Sequence, residues 1–90
     1  MNLPIQIEIG GQPAVAAVAA DMSLGGFLIK GQSAPAFGTE VTIHADLPGA
    51  PGARLPATVR WASPAGFGVQ FGLMGARETH ALIQLAQLRS

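Results

Sequence analysis

No cysteine occurs in the 90 residues. That excludes a disulfide framework, a thiolate nucleophile and a zinc–thiolate centre, and it fits a reducing compartment. Charge is scarce too: five Lys and Arg against five Asp and Glu leave the chain formally neutral, with 11% of residues charged. Proteins that hold a nucleic acid polymer draw most of their affinity from neutralising phosphates, and here the basic residues do not cluster, so no such partner is expected. Long apolar runs are missing as well. Nothing approaches the roughly 20 residues that cross a bilayer, and the stretch from Met1 to Ile9 has neither the basic nor the apolar segment of a secretory leader. The expectation is a chain with no membrane span, in the cytoplasm.

Catalytic constellations are equally thin. His44 and His80 fall on different elements, without a second ligand at helical spacing and without a paired carboxylate in sequence, so each reads as a solvated surface histidine and not as a metal ligand. Ser23 lies near Asp21 but has no imidazole beside it, and the five acids are spread singly, so neither a nucleophile–base pair nor an acid–base dyad is formed. The chain does not read as an enzyme.

What is present is apolar residue and period-two patterning. Hydrophobic residues make up 49% of a chain long enough for one small domain, 1–90, with one modest core and an exposed apolar patch suited to a partner. Ile5, Ile7 and Ile9 alternate with polar residues as a half-buried strand does. The Ala-rich run 14–20 follows Gly10-Gly11-Gln12-Pro13 and has the propensity and the Val15 to Val18 spacing of a helix of about two turns, which would be marginal. A strand bulged between Val15 and Val18 suits the flanking turns better. Phe27 to Lys30 is a short strand, followed by a loop from Gly31 to Gly38 in which Phe37 is expected to cover the core.

Val41, Ile43, Ala45 and Leu47 form the next inward face, and Pro48 to Gly52 is expected to break the chain. Leu55, Ala57, Val59 and Trp61 form another, Trp61 being core or at most a half-exposed anchor for a partner, with Thr58 and Arg60 outward and Pro56 implying an edge or a bulge. Phe67, Val69 and Phe71 complete the strands, their opposite face carrying the small or polar Gly68, Gln70 and Gly72. Beyond Gly75 the period lengthens to that of a helix, with Glu78 in its first turn and Arg89 in its last as the dipole prefers. Its apolar arc of Ala81, Leu82, Ile83, Leu85, Ala86 and Leu88 is wider than the roughly 100° that one core requires. With Leu82, Leu85 and Ala86 turned inward, Ile83 and Leu88 remain for a protein partner or a second copy of the chain. The sum is an all-β fold in the main, a small six-stranded antiparallel barrel with one C-terminal helix.

Between the second and third strands stands Asp21-Met22-Ser23-Leu24-Gly25-Gly26, a turn in which carboxylate, hydroxyl and bare backbone lie side by side. Asp and Ser hydrogen-bond nearby backbone in such turns, and the same groups suit the donor-rich edge of a planar heterocycle such as guanine. Asp21, Ser23 and Gly26 match the (Asp/Asn)-x-Ser-x-x-Gly motif, and the chain resembles the PilZ family of bacterial cyclic di-GMP receptors. The resemblance runs through Leu3-Pro4, Phe27-Leu28-Ile29, Pro35 to Thr39, Val59-Arg60-Trp61 and Gly66 to Phe71. It decides the run 14–20 for a strand, and it implies a signalling barrel whose ligand is cyclic di-GMP, with Asp21, Ser23 and Gly26 at guanine, and Arg60 joining them if the outward face of its strand borders the turn.

It also exposes a departure. Members that bind the nucleotide carry an Arg-x-x-x-Arg arm before the first strand, whereas here no arginine precedes Arg54. Weak or lost binding is therefore expected, and the alternative is a ligand-independent adaptor in motility or pilus assembly. An unrelated nucleic-acid-binding barrel is disfavoured by the neutral charge.

Overall fold

The computed structural model describes residues 2–23, 25–31 and 34–89, with the side chains of Ser23, Leu88 and Arg89 set aside. The expectations for the Ser23 hydroxyl, for Leu88 as an interface residue and for Arg89 at the helix end fall outside the described residues.

Among the described residues, β1 (Leu3–Ile9), β2 (Val15–Ser23), β3 (Gly26–Lys30), β4 (Glu40–Leu47), β5 (Ala50–Ser63) and β6 (Gly66–Phe71) are followed by α1 (Ala76–Arg89). All neighbouring strands pair antiparallel, in the closed order β1-β2-β3-β6-β5-β4. Two three-stranded meanders, β1-β2-β3 and β4-β5-β6, are thus sewn together along β3–β6 and β1–β4. The expected six-stranded barrel with a C-terminal helix is the observed one.

Alternation makes the core. Ile5 and Ile7, Phe27 and Ile29, Val41, Ile43, Ala45 and Leu47, and Phe67 and Val69 all point inward and are buried. Phe27 meets Phe71 edge-on, ring centroids 4.9 Å apart, a geometry aromatic quadrupoles favour. The helix packs against β4 and β5. It buries Ala81 and Leu82 fully and sets Leu85 and Ala86 partly against the core, leaving Ile83 39% exposed. Its start is tied by the Thr79 N–H and hydroxyl, both donating to Gly75 O at 3.1 Å, while Glu78 folds back towards Gly75.

Four local expectations are corrected. The bulge in β2 falls between Ala19 and Asp21, not between Val15 and Val18: β1 and β2 pair in unbroken register from Leu3↔Ala19 to Ile7↔Val15. Had alternation run on past Ala19, Asp21 would have entered the core; the extra residue turns it out and Met22 in. A second bulge between Val59 and Trp61 does the same to β5, so Trp61 faces out, 49% exposed, where simple alternation made it core. Phe37 is 72% exposed and no lid. The break at Pro48 to Gly52 contracts to Pro48-Gly49, with Gly49 at φ 71°, because Leu47 already pairs with Ala50.

Pro56 fits an edge-like position. Pairing of β6 with β5 ends at Ala57↔Phe71, and the Pro56 carbonyl accepts a bond from Gly72 N–H at 2.8 Å. His44 is not carboxylate-free in space: its Nε2 lies 3.0 Å from Glu8 Oε1 across the β1–β4 seam, a pairing of cross-strand neighbours that spacing along the chain does not reveal. His80 is exposed on the helix.

Candidate functional site

Of the three register shifts among the described strands, at Ala19/Asp21, Ala45/Leu47 and Val59/Trp61, the first and last act on the same patch of wall. Pairing registers align Asp21 with Leu28, Leu28 with Gly68 and Gly68 with Trp61. This outward row crosses β2, β3, β6 and β5, about 14 Å at ordinary strand spacing. A second row, Gly26, Gln70 and Thr58, runs beside it. Between them lies an open cleft of about 420 Å³, lined among others by Asp21, Gly26, Leu28, Arg60, Trp61 and Gln70.

Three of the four residues singled out from sequence therefore meet at one cleft: Asp21, Gly26 and Arg60. Ser23 stands in register opposite Gly26 at the end of β2. The six-residue turn is shorter than its sequence suggests, since the strands run on to Ser23 and resume at Gly26. Its tip is fastened by Phe71 N–H donating to Gly25 O at 2.8 Å.

Asp21 Oδ1 accepts the Met22 N–H at 2.8 Å within the bulge. Gly26 has a structural reason of its own: a Cβ there would lie 1.8 Å from Val69 O, so the barrel wall itself requires glycine. Arg60 Nε donates to Gln70 Oε1 at 2.9 Å. Trp61 lies across Gly68, its Nε1 2.1 Å from where a Cβ of residue 68 would stand.

Trp61 and Gln70 are cleft residues that the sequence pattern did not single out. The one signal for them was the small and polar face of Gly68, Gln70 and Gly72, whose bare position at Gly68 is taken up by the indole.

The chemistry of the cleft is two-ended. A carboxylate at one end accepts hydrogen bonds, and a guanidinium at the other donates them in a fork, with an aromatic face alongside. Guanine has complementary edges: N1–H and the 2-amino group donate, while O6 and N7 accept. Among the described residues no three His, Asp or Glu side chains gather as metal ligands, and no helix is long and apolar enough to cross a membrane.

The chain is thus a small six-stranded antiparallel barrel whose interior is filled by core and whose outer wall carries an open cleft. The sequence matches the PilZ domain family over residues 1–87, and the chain belongs to that family. A crystal structure of the PilZ domain of CeSA from a cellulose-synthesising bacterium is similar at a TM-score of 0.74 and 25% identity, covering 100% of this chain and 95% of that one. Among curated proteins none matches the chain. PilZ domains are receptor and adaptor modules of cyclic di-GMP signalling; they take the nucleotide as a ligand and often engage protein partners.

Proposed function

We propose that this chain, as one PilZ-like domain over residues 1–90, is a cytoplasmic, non-enzymatic module of the cyclic di-GMP system that holds the nucleotide weakly. The observation that carries this reading is the cleft with Asp21 at one end, Arg60 and Trp61 at the other, and no arginine in the sequence before Arg54. Asp21 is the acceptor for the donor edge of one guanine, and Ser23, in register opposite Gly26, is the second residue of the motif assigned to that guanine. Arg60 serves O6 and N7 or a phosphate oxygen, and the indole is a stacking face.

One guanidinium does not neutralise a ligand with two phosphates and two guanines. Each charge-assisted contact is worth about 1.5–3 kcal/mol, so residues 1–90 by themselves, without a pair of arginines, are expected to bind about 3–6 kcal/mol more weakly than the same barrel with the pair. That is roughly two to four orders of magnitude in affinity, which takes a micromolar receptor towards the millimolar range.

Isothermal titration of the 90-residue chain with cyclic di-GMP at low salt is the direct test. A dissociation constant of about 0.1 mM or weaker is expected; low micromolar or tighter overturns the reading.

A second reading rests on exposed apolar residues. Ile83 stands out from the helix, and Leu73, just before it, is 98% exposed. On a chain with no net charge to hold copies apart, this supports docking through the helix, either as a homodimer or as an adaptor on a protein partner in motility or pilus assembly.

A further inference from the structure

We propose that β6 is the template that sets what β5 presents to the cleft: Gln70 holds the guanidinium of Arg60 and Gly68 seats the indole of Trp61. Both β6 residues are then positioning residues for a planar, anionic ligand of the guanine nucleotide class. The proposal rests on the nucleotide reading of the cleft.

An exposed arginine samples many rotamers, and fixing it at the moment of binding costs affinity. Here the Nε–H is engaged by Gln70 Oε1 at 2.9 Å. Because arginine is only a donor, the amide must turn its oxygen to it, and the two terminal amino groups remain as a fork. Gln70 is the cross-strand partner of Thr58, so Arg60 reaches it diagonally.

Gly68 works by having no side chain. A Cβ there would stand 2.1, 2.3 and 2.8 Å from Trp61 Nε1, Cε2 and Cζ2, distances no real Cβ tolerates. Any larger residue must lift the ring, whereas glycine lets it rest on the strand with its other side half exposed. Phe67 and Val69 point into the core between and beside these two positions, so the pleat of β6 sets indole and guanidinium next to one another, about 7 Å apart along the strand.

The chain has one tryptophan, so its emission reports on this cleft alone. Cyclic di-GMP is titrated into the 90-residue chain and into Gln70→Leu, Gly68→Ala, Arg60→Ala and the Gln70→Leu/Arg60→Ala double variant, up to millimolar ligand. Binding is followed by tryptophan emission and by amide and arginine Nε–H NMR signals. Gln70→Leu is expected to weaken binding roughly two- to tenfold, and to do nothing further once Arg60 is gone. Gly68→Ala is expected to shift the emission of the free protein to the red and to weaken binding by a similar factor.

Should Gly68→Ala fail to fold, the coupling between Gln70 and Arg60 decides the matter. Gln70→Leu binding as well as the parent, or costing as much without Arg60 as with it, overturns the proposal and leaves the nucleotide reading standing. A parent chain that gives no ligand response at all removes the nucleotide reading and the positioning roles with it. Tight binding that is still coupled through Gln70 overturns only the weakness of the site.

Discussion

At the scale of single residues, Gly26 and Asp21 are held by different forces, and the difference is measurable. The Gly26 position is closed by the Val69 carbonyl at 1.8 Å from any Cβ, and backbone cannot yield as a side-chain tip can. Gly26→Ala is therefore expected to cost about 1–3 kcal/mol of stability, as overpacking does, whether or not a ligand is present. Asp21 accepts the Met22 N–H at 2.8 Å on an exposed bulge. Asp21→Ala should cost about 0.5–2 kcal/mol, by analogy with a lost cap. Urea midpoints of the two variants check both figures, and a Gly26→Ala midpoint equal to that of the parent would contradict the steric account. Asp21 thus carries a local structural bond as well as its place in the cleft, so affinity losses in an Asp21 variant are to be compared at equal folded fraction.

At the scale of elements, what the sequence made legible was whatever repeats. Val41, Ile43, Ala45 and Leu47 announce their strand, and the change of period after Gly75 announces the helix; both stand as expected. The bulges were not legible, because an inserted residue leaves no compositional mark: Val59, Arg60 and Trp61 read as in, out, in, and only the pairing Val59↔Val69 followed by Trp61↔Gly68 reveals the extra residue. Three cleft residues were legible through their motif or their outward face, Asp21, Gly26 and Arg60. Trp61 and Gln70 were not, since their role follows from cross-strand register. The helix gives a cleaner contrast. Leu82→Ala removes a fully buried side chain and is expected to cost about 2–5 kcal/mol. Ile83→Glu, one position on, is expected to change stability by less than about 0.5 kcal/mol while abolishing self-association or partner capture. Sedimentation of the parent as a monomer at about 100 µM removes the homodimer, and equal partner recovery with the Glu variant removes the adaptor version.

At the scale of the whole molecule, register ties the first strand to the cleft. Leu3 pairs with Ala19, so chain placed ahead of Leu3 runs along β2 towards Asp21. An Arg-x-x-x-Arg segment grafted before Asn2 is expected to tighten cyclic di-GMP binding by roughly two to four orders of magnitude, read by titration; a folded graft with no gain would mean the motif serves the barrel alone. The two-meander architecture has a kinetic consequence. Hairpins within each meander close short loops and are expected to form early, whereas the β3–β6 seam joins segments far apart in the chain and is expected to close late. Asp21, Gly26 and Leu28 belong to one meander, and Arg60, Trp61 and Gln70 to the other. Neither half holds the whole cleft, so on the proposed reading a nascent or partly opened chain is expected to give no response to the second messenger. On the proposed reading, a nucleotide that bridges Asp21 and Arg60 would be a stitch across that seam: it is expected to slow the parting of the halves and lengthen the lifetime of the closed barrel, in proportion to how far its concentration exceeds its dissociation constant.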